Sequence, residues 1–141
     1  MVSRSAKAAI RKIAFDTDVL IWYFRGNERA RRFIATFPYP NRSLSSLTAM
    51  ELLQGCRNRD EAWHVRAFVA ENFPLLLHPD EAISRRAIDL LEEHAITHGL
   101  RVIDAIIAAT ALETGYSLAT SNLKHYRFIS RLHLVPFKHT G

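Results

Sequence analysis

The sequence predicts a three-layer α/β/α domain with a central, mainly parallel sheet. Two observations predict it. Short apolar runs alternate with longer segments whose apolar residues recur at helical spacing, the pattern of strands joined through helices. Gly55, Gly99 and Gly115 then stand where helical periodicity stops.

In order, the first strand is Ile13-Ala14-Phe15, which ends on Asp16 and passes through Thr17 and Asp18 into an apolar helix, Val19 to Phe24. Trp22, Tyr23 and Phe24 read as core residues of that helix. After the Gly26 break, Asn27 to Ile34 gives a second helix with a basic outer face, ending before Pro38 and Pro40. Arg42 to Ser45 is a short second strand. Ser46 to Gln54 is a helix, and Arg57 to Asn72 another, with Ala62, Val65, Phe68 and Val69 at helical spacing. Leu75-Leu76-Leu77, after Pro74, is a third strand, apolar on both faces. Asp80 to His98 is a long amphipathic helix that directs Ile83, Ala87, Leu90, Leu91 and Ile96 inward. Asp104 to Thr114, rich in Ala and Ile, is a helix buried on most sides. Tyr116 to Thr120 is a fourth strand, and a polar segment, Ser121 to Arg127, precedes a last strand near Leu134-Val135.

At 141 residues the chain is long enough for one well-formed core. Hydrophobic residues make up 48%, which excludes a disordered chain. The formal net charge is +5 and the pI about 9.8, so the surface suits an anionic partner without naming it. Cys56 is the sole cysteine, which rules out an intramolecular disulfide and suits a reducing, cytoplasmic setting. No apolar run is long enough to span a membrane. Residues 1–10, with Arg4 and Lys7, read as a basic flexible lead-in without the apolar region of a signal peptide. Residues 11–141 read as a single domain.

Four polar residues stand where an apolar element begins or ends. Asp16 follows the first strand, Glu51 lies early in the helix after the second, Asp104 opens the Ala/Ile helix, and Asn122 follows the fourth strand. In a doubly wound sheet such places converge on one rim. Each also has a local reading. Asp16 and Asp104 suit helix N-caps, Thr48 to Glu51 matches a capping box, and Asn122 suits a turn. If the acids cluster instead, they raise one another's pKa unless a cation neutralises them. An all-oxygen set without cysteine or histidine suits Mg²⁺ or Mn²⁺ rather than zinc.

These residues resemble a known family. Asp16-Thr17 after a strand comes first, then Ser45-Ser46-Leu47-Thr48-Ala49-Met50-Glu51-Leu52. Asp104-Ala105-Ile106-Ile107-Ala108-Ala109 follows, and then Thr120-Ser121-Asn122-Leu123-Lys124-His125-Tyr126. In this order and spacing they resemble the PIN domain, and within it the VapC-type toxin ribonucleases. The resemblance covers Lys12 to about Val135. It implies a PIN-like fold over residues 11–141 and Mg²⁺- or Mn²⁺-dependent cleavage of RNA. It also implies a homodimer and a small antitoxin whose tail covers the site. Asp16, Glu51 and Asp104 then become the acidic metal ligands, Asn122 takes a fourth position where many members have Asp, and Thr120 supports the site through its hydroxyl. The stretch Gly99 to Ile103 lacks the extra acid that many members carry, which weakens a two-metal arrangement. The alternative is a non-catalytic PIN-fold module that binds RNA or protein.

Asp18 gives an Asp-x-Asp pattern that also resembles the nucleophile motif of haloacid-dehalogenase-like phosphatases, but the acidic pair those enzymes need downstream is missing. A receiver domain would need an acceptor Asp after the third strand, where His78-Pro79 stands. His64, His94, His98 and His133 read as surface or satisfied residues. His125 either packs at its segment end or touches substrate. Arg25, Arg29, Arg31, Arg32 and Arg42 form the densest basic stretch, either a solvated face or a contact for RNA.

Overall fold

The computed structural model describes residues 11–141; the basic lead-in at 1–10 lies outside them. Five strands form one sheet: β1 (Ile13–Phe15), β2 (Arg42–Ser45), β3 (Leu75–Leu77), β4 (Ser117–Thr120) and β5 (Leu134–Pro136). The helices are α1 (Thr17–Phe24), α2 (Glu28–Thr36), α3 (Ser46–Gln54), α4 (Arg59–Asn72), α5 (Glu81–His98) and α6 (Val102–Thr114). Short 3-10 turns cover Tyr39–Asn41 and Leu123–His125.

The spatial order is β3-β2-β1-β4-β5, and every pairing is parallel. The chain therefore winds outward from β1 through β2 to β3, then returns to the other flank of β1 with β4. The direction reverses between β1 and β4. A crevice opens beyond the carboxyl ends of strands at such a reversal. Those ends carry Asp16 and Thr120.

Strand side chains alternate between faces, and β1 divides the core accordingly. Ala14 and Leu118 face α5 and α6, where Ile83, Ala87, Leu90, Ala105 and Ala108 are buried. Small residues on α6 let it lie close to both the sheet and α5. Ile13, Phe15, Leu44 and Ala119 face the other way, toward Val19, Leu20, Ala30, Ile34 and Val65. Phe15 is 1% exposed and meets Phe33, Phe37 and Phe73 edge-on, with ring centroids 5.5–6.0 Å apart. Such aromatic pairs add about 0.5–1.5 kcal/mol each beyond the area they bury.

The structure corrects several expectations. Ile96 is not inward but 98% exposed. The buried stripe of α5 runs Ile83, Ala87, Leu90, His94, so the helical period brings His94 inside in its place. The His94 ring rests 4.7 Å from that of Phe128. α6 begins at Val102, so Asp104 is its third residue and not its cap; the N-cap is Arg101, without a side-chain bond. Phe24 is not core. α1 is short and buries Thr17, Val19 and Leu20, while Trp22 and Tyr23 are half-buried and Phe24 reaches the surface against Phe68. Phe68 stacks on Tyr23 with centroids 4.0 Å apart, whereas Trp63 is 66% exposed.

Candidate active site

Asp16 is where β1 becomes α1. Its N–H still pairs with the sheet, donating to the Ala119 carbonyl at 2.8 Å. Its carboxylate then does two things. Oδ1 caps α1 by accepting from the Thr17 N–H at 2.9 Å, and Oδ2 accepts from Thr120 Oγ1 at 2.8 Å across the sheet. The cap and the site are thus the same side chain. It is only 5% exposed.

Glu51 does not close a capping box. α3 starts at Ser46 with Ser45 as N-cap, the Ser45 hydroxyl accepting from the Leu47 N–H at 3.1 Å, so Glu51 sits too far along the helix to reach the cap. Its Oε1 accepts instead from Thr17 Oγ1 at 2.6 Å, and that hydroxyl also lies 3.0 Å from the buried Thr48 Oγ1. Glu51 therefore meets Asp16 through the residue next to it.

Asp104, in the first turn of α6, gains from the positive end of that helix. Its Oδ1 accepts from the Tyr126 hydroxyl at 3.2 Å, and its Oδ2 lies 3.4 Å from His125 Nδ1. Asn122 caps nothing with its side chain. Its backbone N–H donates to Thr120 Oγ1 at 2.9 Å, orienting the hydroxyl that holds Asp16, while the exposed carboxamide lies outside that network.

Asp16, Asp104 and Thr120 thus form one cluster, in which Thr120 bonds Asp16 and Tyr126 faces both acids; Glu51 joins it through Thr17, and Asn122 through its backbone. Among the described residues no three His, Cys, Asp or Glu side chains form a preassembled cation cage. Three residues without a site role in the sequence reading belong here. Thr17 bridges two acids. Tyr126, fully buried, holds Asp104. Asp18 accepts the Ser121 N–H at 2.9 Å and the Ser121 hydroxyl on Oδ2, while its Oδ1 is buried without a partner. The signals were in the chain, as the second carboxylate of Asp-Thr-Asp and the tyrosine closing Thr-x-Asn-x-x-His-Tyr.

The pocket's electrostatics follow from burial. The Asp16 pKa is pushed up to about 8, first by desolvation, then by the negative charge of Asp18, with Asp104 adding to it; the Thr120 and Thr17 hydrogen bonds oppose the rise. Burial, together with the negative charges of Asp16 and Asp104, drives the Tyr126 phenol far above its ordinary value, so it stays a neutral donor. The carboxylates of Asp16, Asp18 and Asp104 thus bring hard oxygen donors near one another, and one Asp18 oxygen is buried without a partner.

A family model described as PIN domain matches residues 13–129. Among solved structures, the chain is similar to a toxin–antitoxin complex from Klebsiella pneumoniae at 27% identity and a TM-score of 0.74, over 88% of this chain and 96% of that one. It is also similar to FitAcB from Neisseria gonorrhoeae, at 23% identity and a TM-score of 0.70 over 90% of this chain and 97% of that one. VapBC2 from Rickettsia felis, bound to a DNA fragment from its promoter, shares 16% identity and a TM-score of 0.74, over 89% of this chain and 98% of that one. The latter two likenesses show the fold alone. No curated protein matches the chain.

Proposed function

The chain belongs to the PIN domain family, and from that premise we propose that it is a Mg²⁺- or Mn²⁺-dependent endoribonuclease, the VapC-like toxin of a type II toxin–antitoxin pair. The observation that carries the reading is Asp16. It is buried at the reversal of the sheet, between Asp104 and Asp18, and held there by Thr17 and Thr120.

Asp16, Glu51 and Asp104 would hold the ion, with Asn122 at a fourth, uncharged position. When bound, the ion lowers the pKa of a water and stabilises charge on the phosphodiester oxygens. The chain's own residues set the geometry. Thr120 and the Thr17 N–H fix both oxygens of Asp16, so that carboxylate does not rotate freely. Tyr126 remains protonated and orients Asp104. Thr17 links the positions of Asp16 and Glu51. Such supporting partners typically matter about 10–100-fold in metal affinity or activity.

The reading includes an RNA substrate, a small antitoxin that covers the rim, a homodimer and a cytoplasmic setting. No helix among the described residues is long and apolar enough to cross a membrane. A second reading, a non-catalytic RNA- or protein-binding module, is favoured by Asn122, whose amide adds no charge. The test is cleavage of a defined RNA with Mg²⁺, Mn²⁺ or EDTA, beside Asp104→Asn. Metal-dependent cleavage lost in the variant supports the nuclease. A folded wild type that neither binds Mg²⁺ nor cleaves supports the module.

A further inference from the structure

We propose that the groove between α2 and the end of β5 binds the phosphate backbone of single-stranded RNA beside the acidic pocket, an inference that rests on the nuclease reading above. The basic stretch from Arg25 to Arg42 does not act as one face. Arg31 and Arg32 both turn to Glu28, Arg32 at 3.8 Å. Arg42 donates to the Phe37 carbonyl at 3.0 Å and to Asn72 at 3.4 Å. Arg25 lies over the Trp22 ring, 5.1 Å from its centroid. Arg29 differs: it is exposed and has no ion-pair partner among the described residues.

Arg29 and Arg32 on α2 meet Lys138, from the far end of the chain, around one cavity of about 490 Å³. Lys138 is likewise exposed and outside every ion pair among the described residues. Phe33 and Phe137, with ring centroids 5.0 Å apart, also line the cavity. The two walls are fastened together, since Asn27 Nδ2 donates to the His139 carbonyl at 3.1 Å and the His139 ring stacks on Trp22 at 3.7 Å. These cations are therefore held on a fixed concave surface.

Its position connects it to the site. Pro136, on the groove's rim, pairs in register with Thr120, and the Phe137 N–H donates to the Thr120 carbonyl at 2.9 Å. Adjacent strands are about 4.8 Å apart, so the groove starts one strand away from the hydroxyl that holds Asp16. The acids repel a polyanion; two unpaired cations lining a groove whose rim starts one strand away give flanking phosphates a place to rest. The shape suits a single flexible strand, because a duplex is a rigid rod much wider than this cavity. An extended peptide fits poorly. Pro136 has no N–H to offer, and that of Phe137 is already bonded to Thr120.

The experiment measures binding of a fluorescein-labelled single-stranded RNA of about 20 nucleotides in EDTA, as a function of salt, where each single-strand phosphate contact contributes about 0.7 to the log–log slope. Arg29→Ala/Lys138→Ala is compared with Arg66→Ala/Arg85→Ala, which removes two exposed cations elsewhere, on α4 and α5. The groove variant is expected to lower the slope by about 1.4 and so to weaken binding about 25-fold near 0.1 M salt. The control keeps the wild-type slope, and melting curves show both variants folded. Equal losses in the two variants, or none in the groove variant, overturn the proposal. Cleavage is assayed separately with Mg²⁺. Cleavage intact with no groove dependence of binding removes the groove alone. Groove-dependent binding with no cleavage of any RNA removes the nuclease reading alone.

Discussion

Phe15 and Asp16 are consecutive, and burial treats them almost alike, at 1% and 5% exposure. Energetically they are opposites. Phe15 fills the face of the sheet toward α1 and α2 and meets three other rings. Asp16, one residue on, is a carboxylate placed where water is scarce and two further acids are near. The first builds the fold. The second caps α1 and holds Thr120, but its burial beside other acids makes its negative charge costly to the fold. The boundary between scaffold and site falls within one peptide unit, at the point where a strand face stops having a helix to pack on.

The sharpest way to break the scaffold side is Phe15→Ala. It removes a buried ring and leaves a cavity, so it is expected to cost about 3–5 kcal/mol in denaturant unfolding. A loss below about 1 kcal/mol would mean that the aromatic cluster repacks and is not the support described.

On the site side, Asp16→Asn should do the reverse. Cleavage falls by more than about a hundredfold, beyond the effect of losing a supporting contact, while the protein remains folded. Retained cleavage would remove Asp16 from the site.

Asp16 also predicts a pH dependence. Its folded pKa, about 8, lies above the ordinary 3.8, so the folded state holds a proton that the unfolded chain has released. Stability from this group is complete below the unfolded value and is lost as pH rises through the folded one. Metal-free wild type should therefore lose about 1.4 kcal/mol per pH unit relative to Asp16→Asn across the middle of that window. Parallel stability curves for the two proteins would contradict the assignment.

A smaller effect is expected at Tyr126. Tyr126→Phe keeps the ring and deletes the donor to Asp104, costing about 1–3 kcal/mol if that carboxylate is left unsatisfied. Mg²⁺ affinity should fall with it, and urea unfolding beside a Mg²⁺ titration would separate the two effects.

Much of this was legible in the chain. Period and punctuation located all five strands, because each is a short run set off by glycine, proline or a helix signal, although β2 carries only one apolar residue, Leu44. Asp16, Asp104 and Thr120 come near one another because each sits close to an element boundary, and a parallel sheet gathers such boundaries; Glu51, the sixth residue of α3, reaches Asp16 only through Thr17, and Asn122 takes part only through its backbone. What each side chain does there was less legible. Thr48 to Glu51 has the spacing of a capping box, but one earlier residue, Ser45, takes the cap and frees the glutamate. Ile96 reads as inward because apolar, yet the helical period selects His94. Asp18 and Tyr126 gain their roles only through Ser121 and Asp104, contacts between segments far apart in the chain.

In the proposed nuclease, a bound dication offsets the cost of burying Asp16 beside two other acids. The direct measurement is the melting temperature of wild type and Asp16→Asn, with EDTA and with Mg²⁺, from acidic to mildly alkaline pH. Mg²⁺ is expected to stabilise wild type increasingly as pH rises, because the ion competes with the Asp16 proton, and to leave Asp16→Asn nearly unchanged. Equal Mg²⁺ effects on both proteins, or none on wild type at any pH, would contradict it.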